Sequence, residues 1–186
     1  MNYLRGFAPW LCYAALSAFD WRVGMSAAAA VAVILLLDAL RRRGVDLLQT
    51  ATCVFFVVMA VIALADPASA LNRWTCPLAN AALAVTALGS LVAGRPFTLS
   101  ITRERVQKEL WDNPRFIHFN KVLTGIWATA FSLAAIVSAV IVGTGSAPVA
   151  LVTTQVLAFV VPFIVGSRYA ARAQASAAGA RMEPTA

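Results

Sequence analysis

Charge is scarce in this chain, and acidic charge is scarcer than basic. Of 186 residues 12% are charged, with eight acids against fifteen bases. Soluble domains are about a quarter charged. A chain that is 61% hydrophobic has too few polar side chains to cover a water-facing surface. The bilayer must therefore be the solvent for most of it. No polar stretch is long enough and apolar enough to build a second core, so residues 1–186 read as one integral membrane domain.

Chemistry-bearing residues are as thin. There is one histidine, His118, and three cysteines, Cys12, Cys53 and Cys76, each in a separate apolar block. No C-x-x-C and no coordinating cluster occurs, which argues against a disulfide framework and a metal site. H-E-x-x-H, G-x-S-x-G and the P-loop are missing too. The expectation is a protein with no catalytic residues, no metal and no cofactor. The net charge of +7 does not point to nucleic acid. Its arginines and lysines sit at the ends of apolar blocks, where phospholipid headgroups are the partner.

What is present is a run of apolar blocks around one polar segment. Residues 94–121, GRPFTLSITRERVQKELWDNPRFIHFNK, hold six of the fifteen bases, three of the eight acids and the histidine. Residues 24–40, 47–65, 75–93, 122–142 and 149–167 each read as a transmembrane helix, about 20 apolar residues being enough to span. Residues 7–19 are apolar but short and contain Pro9. Three readings fit them: a signal peptide, a re-entrant or interfacial helix, or a short span edged by Trp10, Tyr13 and Trp21. The fold class is thus an all-α polytopic transmembrane bundle of five or six membrane helices.

Within 94–121, residues 102–112 are expected to form an amphipathic helix at the interface. Its supports would be the i,i+4 pairs Glu104–Lys108, Arg105–Glu109 and Lys108–Asp112 and the stripe Val106–Leu110. Asn113-Pro114 then reads as an N-cap followed by the first helical position. From there a helix can run to Gly143, longer than the hydrocarbon alone requires. Pro77 suits the first turn of the 75–93 helix, and Pro162 should kink the last one. Residues 173–186 are small and polar and read as a flexible tail. Two small-residue series, Ala82, Thr86, Ser90 and Ala130, Ala134, Ser138, allow close helix approach.

If the turns alternate sides, one side carries twelve of the fifteen bases. The positive-inside rule makes that side cytoplasmic, with 94–121 and the C-terminus on it. Candidate residues for contact with headgroups or partners are Arg103, Arg105, Lys108, Trp111, Arg115, His118 and Lys121. Two polar residues lie within apolar blocks, Asp38 and Asn80. Asp38 stands at i−3 and i−4 from Arg41 and Arg42, so an ion pair offsets most of its cost; Asn80 reads as helix glue.

The order of features resembles the intracellular septation protein A family of small bacterial inner-membrane proteins. The resemblance covers roughly residues 7–172. It is carried by Phe7-x-Pro9, Asp20, Arg41–Arg43, Trp74, Gly94-Arg95-Pro96-Phe97, Trp111, Asn120, Trp127 and Phe131. Between Trp111 and Asn120 this chain looks longer than the family pattern. The resemblance implies a non-enzymatic multi-pass protein of the bacterial inner membrane. It would serve cell-envelope maintenance and septation through envelope or division membrane proteins. Apart from the resemblance, the phospholipid bilayer and a homo-oligomer are expected partners. The rival expectation, from the intramembrane polar residues alone, is a small transporter or channel using Asp38, Asn80, Thr153, Thr154, Gln155 and the Pro162 kink.

Overall fold

The structure is a computed structural model. It describes residues 3–17, 19–42, 44–103, 106–145 and 148–182, with side chains over 6–17, 19–42, 44–103, 106–145 and 149–173. Seven helices make up the described chain: α1 (Tyr3–Leu16), α2 (Trp21–Arg41), α3 (Leu47–Ala65), α4 (Leu71–Val92), α5 (Thr98–Arg103), α6 (Pro114–Thr144) and α7 (Pro148–Met182). Five of them, α2, α3, α4, α6 and α7, are long and apolar enough to cross a membrane. α1, with 14 residues, reaches about 21 Å and falls short.

Three helices start where a short polar side chain can take an orphan N–H. Asp20 accepts from Arg22 N at 2.7 Å, Asp46 from Gln49 N at 2.6 Å, and Asn113 from Arg115 N at 2.9 Å. Pro114 follows at the first helical position of α6, as its missing donor and fixed φ allow. α6 ends on Gly145 at φ 66°, a left-handed cap that glycine adopts without strain. α3 matches the expected 47–65 span at both ends.

Other boundaries differ from the sequence reading. α2 begins three residues before Gly24, because Asp20 caps it. α4 begins at Leu71, so Pro77 lies inside the helix and not in its first turn; Ala70 provides no side-chain cap. The backbone of α7 stays helical to Met182, into the stretch expected to be a flexible tail. The amphipathic helix expected over residues 102–112 does not form. α5 ends at Arg103, and a single 3-10 turn spans Lys108–Leu110. A 3-10 turn brings i and i+3 together, so it removes the i,i+4 register on which the Lys108–Asp112 pair depends. The other two expected pairs involve Glu104 and Arg105, which lie outside the described residues, as does Arg43.

The helices pack as two groups. α2 and α3 bury Trp21, Met25, Ala28, Phe56, Met59 and Ala63 against one another. α4 and α6 form the largest interface and bury Leu83, Ala84, Ala87, Ala128 and Phe131. Small residues dominate this second seam: Thr86, Ser90, Ala134 and Ser138 are all buried. In lipid, where apolar burial between helices gains little, close backbone approach and dispersion hold such a seam together.

α1 joins the groups. Trp10 lies 4.7 Å from Phe56 and 5.5 Å from Phe55, ring centre to ring centre. On the other side Phe7 meets Phe159 of α7 at 5.5 Å and Trp127 of α6 at 6.1 Å. Trp10 and Tyr13 therefore pack, half-buried, against α3. Trp21 is buried as well, its indole N–H donating to Pro67 O at 3.1 Å. Outward-facing large residues, such as Val85, Leu133, Val152 and Phe163, are left for lipid.

Candidate functional site

The polar segment is docked to the bundle by a set of buried hydroxyls. Gly94, at φ 69°, turns the chain at the end of α4. Ser90 Oγ then accepts from Phe97 N at 3.1 Å and donates to Ala87 O at 2.7 Å. Pro96 and Phe97 are buried beneath the turn. α5 starts at once, and Thr98 and Thr102, one helical turn apart, face α6. Thr98 Oγ1 donates to Asn120 O at 3.0 Å and lies 2.8 Å from Thr124 Oγ1. Thr102 Oγ1 donates to Asn120 Oδ1 at 2.7 Å. Asn120 Nδ2 donates to Phe116 O at 2.9 Å. Asn120 and Thr124 are fully buried. A network in which these groups find partners at low dielectric fixes α5 on α6 in one arrangement.

Beyond α5 the chain is clasped once more. The Arg103 guanidinium lies 5.2 Å from the centre of the Trp111 ring, and Trp111 Nε1 donates to Arg103 O at 3.2 Å. The clasp closes the bend and 3-10 turn between α5 and α6. Its outer surface is exposed: Lys108, Glu109, Leu110 and Asp112 face solvent. Arg115, His118 and Lys121 are exposed along the first turns of α6. Of the candidates, the structure brings Arg103 and Trp111 into direct contact. It spreads Lys108, Arg115, His118 and Lys121 over the surface around them. Arg105 lies outside the described residues.

The two intramembrane candidates are kept apart. Asp38 sits in the last turns of α2 and accepts from Arg42 Nε at 3.0 Å, both side chains being at least partly exposed. Asn80 is buried halfway along α4. Its Nδ2 donates to Cys76 O at 2.9 Å and to Gln155 Oε1 of α7 at 3.0 Å, while Oδ1 has no partner. α2 packs mainly on α1 and α3, and α4 on α6 and α3. Cys12, Cys53 and Cys76 are free thiols.

Three residues that hold the segment were not singled out as contacts in the sequence: Thr98, Thr102 and Thr124. A signal exists for them. Thr98–Thr102 and Asn120–Thr124 are i,i+4 polar pairs on two neighbouring helices, a spacing at which two faces can interlock. Gln155, named in the sequence only for the transport rival, pairs instead with Asn80. A further polar pair lies on the opposite side of the bundle. Arg22 Nη2 approaches Asp20 Oδ2 at 2.7 Å. The Arg22 side chain, and then its backbone N–H, lower the Asp20 carboxyl to a pKa of about 2.

The fold and the spans define a polytopic helical membrane protein, in contact with lipid around its waist. Comparison of the chain with protein-family models, curated proteins and solved structures gives no match.

Proposed function

We propose that this is a non-enzymatic inner-membrane protein that acts by contact, with residues 94–121 as its interaction module on the cytoplasmic face. One observation carries the reading. A charged, exposed segment is held in a single arrangement by the buried Thr98–Thr102–Asn120–Thr124 network and by the Arg103–Trp111 clasp. A segment needed only to link two spans has no use for such fixing, whereas a binding surface gains affinity from it by ordering less on contact. The clustering of bases on that side supports a cytoplasmic location.

The partners that suit the segment are membrane proteins of cell-envelope maintenance and septation, in line with the resemblance to the intracellular septation protein A family. The test is photo-crosslinking in native membranes from a reactive group at Leu110, which is exposed and leaves the clasp intact. Recovery of one defined membrane protein is the expected outcome. Adducts with phospholipid alone would reduce the segment to an anchor and overturn the reading.

A further inference from the structure

The cytoplasmic ends of α6 and α7 form a second charged surface, separate from the Trp111 clasp. Phe119 and Tyr169 stack at 5.4 Å with an interplanar angle of 11°, so they mark the facing sides of these antiparallel helices. Gly166 and Leu123 meet on one flank of the seam, where a Cβ on Gly166 would stand 2.7 Å from Leu123 Cδ1. Asn120, buried against α5, lies on that flank too. At about 100° per residue around each helix, Arg115 and His118 of α6 and Arg168 and Arg172 of α7 all fall on the opposite flank. Each of the four is exposed. Lys121 falls on the far side of α6, away from the seam.

On their own residues the two helices carry no formal negative charge. The sequence has no Asp or Glu from Asn113 through Met182. The acid nearest in sequence to Arg115, Asp112, is on the exposed turn before α6. One or two turns deeper the same flank becomes apolar, with Val122 on α6 and Val161 and Val165 on α7. A cationic mouth above an apolar floor, at the level where a spanning helix leaves the hydrocarbon, matches one ligand shape: a phosphate on top and a chain below.

We propose that the α6–α7 seam binds an anionic phospholipid, with the headgroup phosphate between Arg115 and Arg168 and an acyl chain along Val122 and Val165. Arginine suits the task because its planar fork pairs with phosphate oxygens and is weakly hydrated. The site needs only the span arrangement of α6 and α7. Its Arg115 and His118 fall within residues 94–121, but the site does not depend on that module's protein partners.

Native mass spectrometry of the purified full chain in detergent tests it, with phosphatidylglycerol and phosphatidylcholine as competing probes. The wild type should retain phosphatidylglycerol in preference. Because each arginine near anionic lipid is worth roughly fivefold in binding, R115Q/R168Q should lower that preference by about tenfold or more. Lys121→Gln, with its charge on the far side of α6, should keep it. Equal retention of the two lipids by the wild type would overturn the proposal. So would an unchanged preference in R115Q/R168Q, which would also leave the crosslinking result at Leu110 untouched. Displacement of the lipid by inorganic phosphate would show that the apolar floor contributes nothing, and would overturn the two-part groove.

Discussion

Arg103 and Trp111 hold each other at two points: guanidinium over ring at 5.2 Å, and indole N–H to the Arg103 carbonyl at 3.2 Å. The pair closes a polar excursion between α5 and α6 that has almost no helix of its own. A half-buried cation–π contact contributes about 1 kcal/mol and the hydrogen bond a similar amount. Trp111→Ala should therefore open the segment locally by about five- to thirtyfold without melting the bundle. Limited trypsin digestion of the protein in detergent should show faster cleavage between α5 and α6, with the thermal midpoint of the bundle unmoved. Unchanged cleavage would mean that the segment is held elsewhere.

Removing Asn120 should act more deeply. Asn120→Ala takes away the acceptor that ties Thr102 to α6, leaving its hydroxyl only carbonyls of α5 itself, chiefly that of Thr98, and leaves the Phe116 carbonyl without its side-chain donor. Losing buried partners of this kind costs about 1–3 kcal/mol. Thr102→Val deletes one donor while its shape is kept, so it should cost less. Thermal unfolding in detergent ranks the two, and an equal loss would show that the network is not what docks α5.

The α1–α2 hairpin depends on a glycine for space. A Cβ at Gly24 would stand 2.9 Å from both the Cα and the N of Ser17, backbone atoms that cannot swing aside. Gly24→Ala gains about 1 kcal/mol of helix propensity but overpacks the contact by about 1–3 kcal/mol. The balance should be destabilising, and α1 should shift off α2. Gly166→Ala meets only the flexible end of Leu123 and should be tolerated. Comparative melting of the two variants checks the contrast.

Asp20 is expected to stay ionised far into acid. Its pKa lies below the usual 3.8, at about 2, held there by Arg22. The folded form binds its proton less readily than the unfolded one. The stabilising effect of the cap is thus complete above about pH 4 and is lost as the pH falls through about 2. The pair is exposed, so the effect should be small. Asp20→Asn keeps the cap, since asparagine serves as well at that position, but removes the titration. Infrared titration of the carboxylate band in wild type against this variant reads the difference near pH 2.

Asp38→Asn should neither block insertion nor create or abolish solute flux in reconstituted vesicles. The carboxylate is paired with Arg42 in the last turns of α2, both side chains being at least partly exposed. A flux that depends on Asp38 would revive the transport reading.

The five spans were legible in the sequence because hydrocarbon demands one thing of a chain, a run of apolar residues of sufficient length. α3 shows this at its plainest, with both ends correct. The Asn113-Pro114 start of α6 was legible for a local reason: the cap and the proline act within one turn. Where the deciding partner is distant, the sequence was silent. Pairing charges i,i+4 suggested a helix over residues 102–112, each pair worth only about 0.2–0.5 kcal/mol. The tertiary clasp of Arg103 on Trp111 and the docking of Thr102 on Asn120 bend the chain there instead. The packing of α1 was decided the same way, since Phe7 and Trp10 meet the rings of Phe55, Phe56, Trp127 and Phe159 on three other helices. Composition and length alone determined that this chain lives in a membrane. Which of its polar residues face one another was decided only by helix packing, because contacts across the bundle join positions that no sequence period relates.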